Sequence, residues 1–331
     1  MAKRKINKQQ QRRINAQHRQ RSRRARDDDN LPDSDALGPE QIGLVIESFG
    51  RQVNIEAKDG EVTRCHLRAN VENPVAGDRV IWQMGDNTGV IVAVEPRRSL
   101  LTRPDFNGQP KSIAANIDQM LIVVAAQPPA YANLIDRYLV AAEAHQLTAV
   151  IVRNKSDLPV DDDTLAMLNS YADNGYTVLT ASSTDGKGLD ALRAQLADAT
   201  SIFVGQSGVG KSSLVNALLP EANTAVGELS HAADKGRHTT TTARLFHFPD
   251  GGDLIDSPGI REFGVQNLDR KSVEQGFREF QPFISQCRFR DCRHESEPDC
   301  GLQAALERGD ISPVRLQSYR QIVAEIEGQH G

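Results

Sequence analysis

Cysteine is scarce: four residues in a chain of 331 cannot staple a disulfide-dependent secreted scaffold. Cys65 stands apart, whereas Cys287, Cys292 and Cys300 fall within fourteen residues, which suits a metal site better than a disulfide framework. Long apolar runs are also missing. None approaches the roughly 18 residues of a membrane-spanning helix, and the first residues lack the apolar core of a secretory signal. A cytoplasmic chain that does not engage a membrane is expected. Acidic residues are absent from 1–26, where eleven Lys and Arg lie between Lys3 and Arg26. Because the whole chain carries −5, the remainder carries −16. Such a block of one sign is usually disordered in isolation and, when functional, usually meets nucleic-acid phosphates. It reads as a cytoplasmic basic arm in preference to a transit peptide. An apolar fraction of 39% and a charged fraction of 25% leave material for two or three soluble domains.

After a polar linker at 27–33, short alternating segments begin near Gln41. They are Ile42/Leu44/Ile46, Val53/Ile55/Ala57 and Val62 to Leu67, followed by 78–83 and 89–94. Asp59-Gly60 marks a hairpin turn between the second and third. Five strands at this density predict a small β-barrel of the oligonucleotide-binding (OB) kind, with Arg64, His66, Arg68 and Arg79 as candidate RNA contacts. Residues 97–116 read as a loop-rich connection. Then come a buried strand at 120–125 and a helix with Asn133 as N-cap and Leu134, Ile135, Tyr138 and Leu139 on its apolar face. Strands at 149–152, 177–180 and 202–204 and a helix at 189–196 complete an alternation that implies a mostly parallel α/β sheet.

The chemistry concentrates where the last of these strands meets Gly205-Gln206-Ser207-Gly208-Val209-Gly210-Lys211-Ser212-Ser213. This is G-x-x-x-x-G-K-S between a strand and a helix, the order needed for backbone N–H groups to converge on a polyphosphate at a helix N-terminus. Lys211 is placed to reach the β- and γ-phosphates and the Ser212 hydroxyl to hold Mg²⁺. Upstream, Asn154-Lys155-Ser156-Asp157 follows a strand as N-K-x-D. Asp157 can accept from N1–H and the 2-amino group of guanine, a donor pair that adenine lacks, so GTP is selected over ATP. Asn154 and Lys155 brace the loop, and Ala181-Ser182 sits where a further base-contacting loop belongs.

Downstream, 243–248 and 253–255 flank a Pro-Asp-Gly-Gly turn and read as a hairpin. It ends in Asp256-Ser257-Pro258-Gly259, a D-x-P-G pattern in which Asp256 would hold Mg²⁺ through water and the Gly259 amide would sense the γ-phosphate. Among threonines 239–242, Thr240 is the expected Mg²⁺ ligand of a first switch. The C-terminal cluster reads C-x4-C-x-H-x5-C, with Cys287, Cys292, His294 and Cys300 supplying a complete tetrahedral set for one structural Zn²⁺. Arg288, Arg290 and Arg293 lie among these ligands and could touch RNA backbone. Ser312-Pro313 starts a last helix that runs to about Glu327.

These GTPase elements stand in a shifted order, with N-K-x-D first and D-x-P-G last. A cyclic shift leaves sheet and pocket unchanged when the cut falls in a loop. On these motifs, over 38–327, the sequence resembles the RsgA (YjeQ) family of circularly permuted small-ribosomal-subunit biogenesis GTPases. The resemblance implies a multidomain chain: basic arm and linker (1–37), five-stranded OB-like barrel (38–96), circularly permuted P-loop α/β GTPase (97–265) and helical zinc-binding module (266–331). It implies GTP hydrolysis stimulated by the small (30S) ribosomal subunit, contacts to 16S rRNA, and a role in late subunit maturation; a monomer is expected. Ile260 stands where many GTPases carry a water-orienting Gln and cannot hydrogen-bond. The nearest candidate is His238, to which the resemblance also points, against the alternative of a structural histidine. The permutation sends 256–264 directly toward the zinc module, so γ-phosphate sensing is expected to control that module's orientation. Two other readings are a GTP-dependent switch for a protein partner and an RNA-binding module with structural nucleotide.

Overall fold

The alternation in the first hundred residues folds as five short strands that close on themselves. The computed structural model describes residues 37–104, 109–219, 243–256, 265 and 268–328. The basic arm, His238, Thr240 and Gly259 lie outside the described residues. The chain forms two compact units, one made of residues up to Val45, Phe49–Pro74 and Arg79–Glu95, the other of Ile46–Ser48, Val75–Asp78 and everything from Pro96 onward.

In the first unit the strands are β1 (Glu40–Phe49), β2 (Gln52–Glu56), β3 (Val62–Leu67), β4 (Arg79–Met84) and β5 (Gly89–Val94). Their order is β1-β2-β3-β5-β4, and β4 pairs back onto β1, which closes the barrel. β3 and β5 run parallel, while β2 with β3, β4 with β5 and β1 with β4 run antiparallel. The inward positions, among them Val45, Val53, Ile55, Leu67, Val80 and Ile91, surround Trp82. Gly43 and Gly89 make room for that indole: a Cβ at either position would stand within 2.9 Å of its ring atoms. Cys65 also faces this core. Burial pushes its thiol up to about 12, so in this apolar core it stays protonated. Arg64 and Arg79 occupy outward positions, as expected for surface cations.

In the second unit the central sheet contains β8 (Gln119–Val124), β9 (Thr148–Arg153), β10 (Thr177–Thr180), β11 (Thr200–Val204), β12 (Arg244–His247) and β13 (Asp253–Asp256). Its order is β10-β9-β8-β11-β13-β12. All neighbours are parallel except β12, which pairs antiparallel with β13. The run Gln119–Val124 is buried at every position, as a strand covered on both faces requires. Helices α1 (Ala132–Ala144), α2 (Asp162–Asp173), α3 (Leu189–Leu196) and α4 (Lys211–Leu218) connect the strands. Among the described residues, no helix is long and apolar enough to cross a membrane.

Two local expectations change, and one further helix carries little apolar pattern to announce it. Where a loop-rich connection is expected, β6 (Leu100–Pro104) and β7 (Pro110–Ala115) pair antiparallel as a separate ribbon. α1 begins at Ala132 after Tyr131, so Asn133 lies within its first turn and is not the N-cap. Its amide instead donates to Ser318 Oγ at 3.2 Å. α2 lies in a stretch with no strong apolar stripe, and its signal is the Asp161 side chain, which accepts from the Thr164 amide at 2.7 Å.

The chain after the sheet forms α5 (Arg270–Gln275), a 3₁₀ turn (Arg278–Phe280), α6 (Gln281–Ile284), α7 (Gly301–Arg308) and α8 (Pro313–Gly328). Phe277 and Phe280 stack at 4.8 Å, and the Tyr319 ring meets both edge-on at 5.7 Å. Val140 of α1 belongs to this same buried cluster, so the C-terminal helices seat on the sheet's own helical layer.

Candidate functional site

Four of the parallel strands end at loops that carry the motifs. N-K-x-D follows β9, Ala181-Ser182 follows β10, the glycine-rich loop follows β11, and Asp256 closes β13. These are carboxyl ends of strands in one parallel sheet, where open α/β sheets place their ligands. The strand order lays the loops out along one edge, base-recognition loops at one end, the glycine-rich loop in the middle and Asp256 beyond it.

The glycine-rich loop is shaped by its glycines. Gly205 has φ +133 and its missing Cβ would stand 2.2 Å from the Val123 carbonyl oxygen. Gly210 has φ +91, and a Cβ there would stand 2.4 Å from Asn154 Nδ2. No side chain fits either position. Gly205→Ala is therefore expected to cost at least about 1–2 kcal/mol of loop strain and to weaken nucleotide binding about tenfold or more, read by calorimetric titration. Lys211 Nζ donates to the Gly205 and Gln206 carbonyls at 2.7 and 2.6 Å, which holds the ammonium over the mouth of the loop. Val209 is buried and anchors the loop, while Ser207, Gly208 and Ser213 are exposed. Ser212, half-buried, opens the first turn of α4 beside Lys211.

The base motif is fastened to this loop. Asn154 is buried, and its Nδ2 donates to the Val209 carbonyl at 2.9 Å. Lys155 Nζ donates to the Gly208 and Gln127 carbonyls, both at 2.8 Å. The Ser156 amide donates to the Ala181 carbonyl at 3.1 Å, which ties the two base loops together. Ser182 is buried, and its hydroxyl donates to Asp157 Oδ1 at 2.6 Å, fixing a carboxylate that faces solvent. Sequence reasoning gives no hint of Gln127 or of Tyr138 on α1. Burial raises the Tyr138 hydroxyl's pKa, and the Gly205 amide pointing at it opposes that shift.

The second constellation is the cysteine cluster. One ligand atom from each of Cys287, Cys292, His294 and Cys300 lies within 4.8 Å of the others. His294 Nδ1 faces Cys287 Sγ at 3.6 Å and Cys300 Sγ at 3.4 Å, and the ring is buried. Burial raises the Cys287 and Cys292 thiols, the latter to about 12. At Cys300 burial acts the same way, but the Gln303 amide, His294 and Cys292 together outweigh it and lower the pKa. Three converging sulfurs and an inward imidazole nitrogen fit a tetrahedral cation, whose charge favours the thiolate form that burial opposes. Behind His294, on the side away from the sulfurs, Nε2 lies 3.0 Å from Glu274 Oε2. Sequence reasoning missed Glu274, since a single glutamate twenty residues before the histidine carries no spacing signal.

A parallel sheet with phosphate, base and D-x-P-G elements in cyclically shifted order defines a circularly permuted P-loop GTPase. The chain belongs to the RsgA GTPase family, whose sequence pattern matches residues 94–266. It is 53% identical over 336 residues, covering 98% of both chains, to the small ribosomal subunit biogenesis GTPase RsgA of Pseudomonas aeruginosa strain LESB58. It is 55% identical over 305 residues to the protein of that name from Chromohalobacter salexigens, covering 90% of this chain and 89% of the relative. Among solved structures it is similar to YjeQ from Thermotoga maritima, with 33% identity and a TM-score of 0.71 over 88% of this chain and 99% of that one. YloQ, a circularly permuted GTPase, matches with 27% identity and a TM-score of 0.70 over 88% of this chain and 96% of that one.

Proposed function

We propose that this chain hydrolyses GTP while bound to the small ribosomal subunit or its precursor, and that hydrolysis times late maturation and its own departure. The observation that carries this reading is the row of base, phosphate and Asp256 loops along one strand edge, in a chain half identical to named subunit-biogenesis GTPases over nearly its whole length. The parts are a basic arm (1–37), an OB-like barrel (38–96), the permuted GTPase (97–265) and a zinc module (266–331).

Asp157 would read guanine, with Asn154, Lys155, Ser156, Ala181 and Ser182 shaping the base pocket. The amides of 205–213 would cradle the phosphates, and Lys211 would exchange its two carbonyl partners for phosphate oxygens. Ser212, Thr240 and, through water, Asp256 would hold Mg²⁺, which supplies charge neutralisation on the β- and γ-phosphates. Gly259 would sense the γ-phosphate. Cys287, Cys292, His294 and Cys300 would hold one structural Zn²⁺. The arm, the barrel's Arg64, His66, Arg68 and Arg79, and Arg288, Arg290 and Arg293 of the zinc module would meet 16S rRNA. The protein would act in the cytoplasm, as a monomer, without a membrane.

His238 is the proposed water-orienting group, because Ile260 offers no hydrogen bond where a Gln often stands. Turnover by the protein alone is expected to be slow, on the order of 10⁻⁴–10⁻² s⁻¹. Adding small subunits, and not large ones, is expected to raise it. His238→Ala is expected to cut the stimulated rate by about 10²-fold and to leave GTP affinity unchanged. Equal, slow turnover with and without small subunits would favour a switch for a protein partner. Unchanged stimulated turnover in the variant would remove His238 from the mechanism.

A further inference from the structure

Metal-bound histidines need a partner on the nitrogen that does not bind the metal, because that partner fixes the tautomer and the ring plane. In this chain the partner is built in. His294 presents Nδ1 to the sulfurs of Cys287 and Cys300, so its other nitrogen, Nε2, must carry the proton if Nδ1 is to donate a lone pair. Glu274 Oε2 waits 3.0 Å from that nitrogen. The pair is enclosed, with His294 at 2% and Glu274 at 16% side-chain exposure, so water competes poorly for either group.

Glu274 is not part of the cysteine loop. It lies on α5, whose N-terminus is capped by the Asp269 side chain accepting from the Ser272 amide at 2.8 Å. The helix ends at Gly276, where a Cβ would stand 2.8 Å from Val140 Cα of α1. α5 is thus in flush contact with the GTPase sheet's helical layer at one end and holds the metal-side histidine near the same end. Two neighbouring contacts keep the loop around His294 in place independently. Arg320 and Gln303 donate to the His294 carbonyl, both at 3.0 Å.

We propose that Glu274 is the positioning residue of the zinc site, orienting His294 through Nε2–H and coupling the metal to α5. This rests on the reading of the cysteine cluster as a zinc site. It extends that reading from the four ligands to a residue of a different helix, and makes zinc loading a determinant of how firmly α5 sits.

Zinc content and zinc affinity are measured on the full-length protein by metal analysis and by competition with a chromophoric chelator. Glu274→Ala is expected to bind zinc about 10–100-fold more weakly than the unsubstituted protein. Glu274→Gln, whose amide oxygen can still accept from Nε2–H, is expected to recover part of that loss. Glu307→Gln, which removes an exposed carboxylate of α7, is expected to leave affinity unchanged. Amide exchange over 270–276 is expected to quicken in the zinc-loaded Glu274→Ala protein. Unchanged zinc affinity in Glu274→Ala would overturn the proposal while leaving the zinc site intact. An equal loss in the Ala and Gln variants would also overturn it, because a hydrogen-bond role predicts graded loss. Failure of the unsubstituted protein to hold stoichiometric zinc would overturn the zinc reading and this inference with it.

Discussion

Asp157→Asn is expected to lower GTP affinity by about 10²–10⁴-fold and to raise affinity for xanthosine triphosphate. The exposed carboxylate can accept two hydrogen bonds from guanine, each worth about 1.5–3 kcal/mol when the acceptor is charged. An asparagine accepts one and turns an N–H donor against the guanine 2-amino group. Xanthine carries a carbonyl at that position, so the same N–H becomes a partner. Ser182 sharpens the expectation. Its buried hydroxyl donates to Asp157 Oδ1 at 2.6 Å, so the carboxylate is oriented before any base arrives. The asparagine can keep that contact through its own oxygen, which keeps the loop in place and confines the effect to base choice. Titration of both nucleotides into both proteins reads the exchange. Equal GTP affinity in the variant would remove Asp157 from guanine recognition.

The placement of the N-K-x-D and glycine-rich loops after their strands was legible in the sequence because each motif is local. Four residues after a strand fix N-K-x-D, and eight fix the phosphate loop, so each motif carries its own geometry. The barrel was legible for a related reason, since period-two alternation is a property of each strand by itself. The ribbon of β6 and β7 was not, because Arg103-Pro104 and Asn107-Gly108 supply turn signals while the pairing of 100–104 with 110–115 is set across the turn. Asn133 shows a different failure. Its residue type favours a cap, yet its amide is taken by Ser318, 185 positions later. Contacts of the same long range join the apolar cluster around Val140 in seating the C-terminal helices on α1. Arg137 pairs with Glu325 and Arg278 with Glu143, each a single charge with no neighbours that announce it. This seating also bears on how nucleotide state could reach the zinc module. α1 lies between the Gly205 amide, through Tyr138, and the C-terminal helices, through Val140. Any reorientation of those helices must therefore break their charged seat or carry α1 with them.

That seat has one residue at its centre, and its loss is the second large expected effect. Arg315 of α8 pairs with Asp136 of α1 and, through both nitrogens of its fork, with Glu279. Its side chain is 4% exposed, Asp136 is 0% and Glu279 9%. The guanidinium also lies over the rings of Phe277 at 4.5 Å and Tyr171 at 5.2 Å, and the Tyr171 hydroxyl donates to Asp136 at 2.5 Å. Removing the cation alone leaves two carboxylates in an apolar joint. Arg315→Met is expected to cost about 3–5 kcal/mol, read as faster amide exchange in α1 and α8. Burial already raises the Asp136 carboxyl's pKa, with the Arg315 charge the largest of the effects opposing it. Without Arg315 the folded pKa rises further above its unfolded value, so the folded state binds the extra proton. Stability gained that way is present at low pH and lost as pH rises through the folded pKa. The Arg315→Met deficit is therefore expected to grow as pH rises through that folded pKa, read from unfolding measured across a pH series. Replacing all three charges together, as in D136L/E279L/R315M, is expected to recover most of the loss, because the cost lies in the orphaned carboxylates. Equal exchange protection in Arg315→Met and the unsubstituted protein would show that the joint is held by its aromatic core alone.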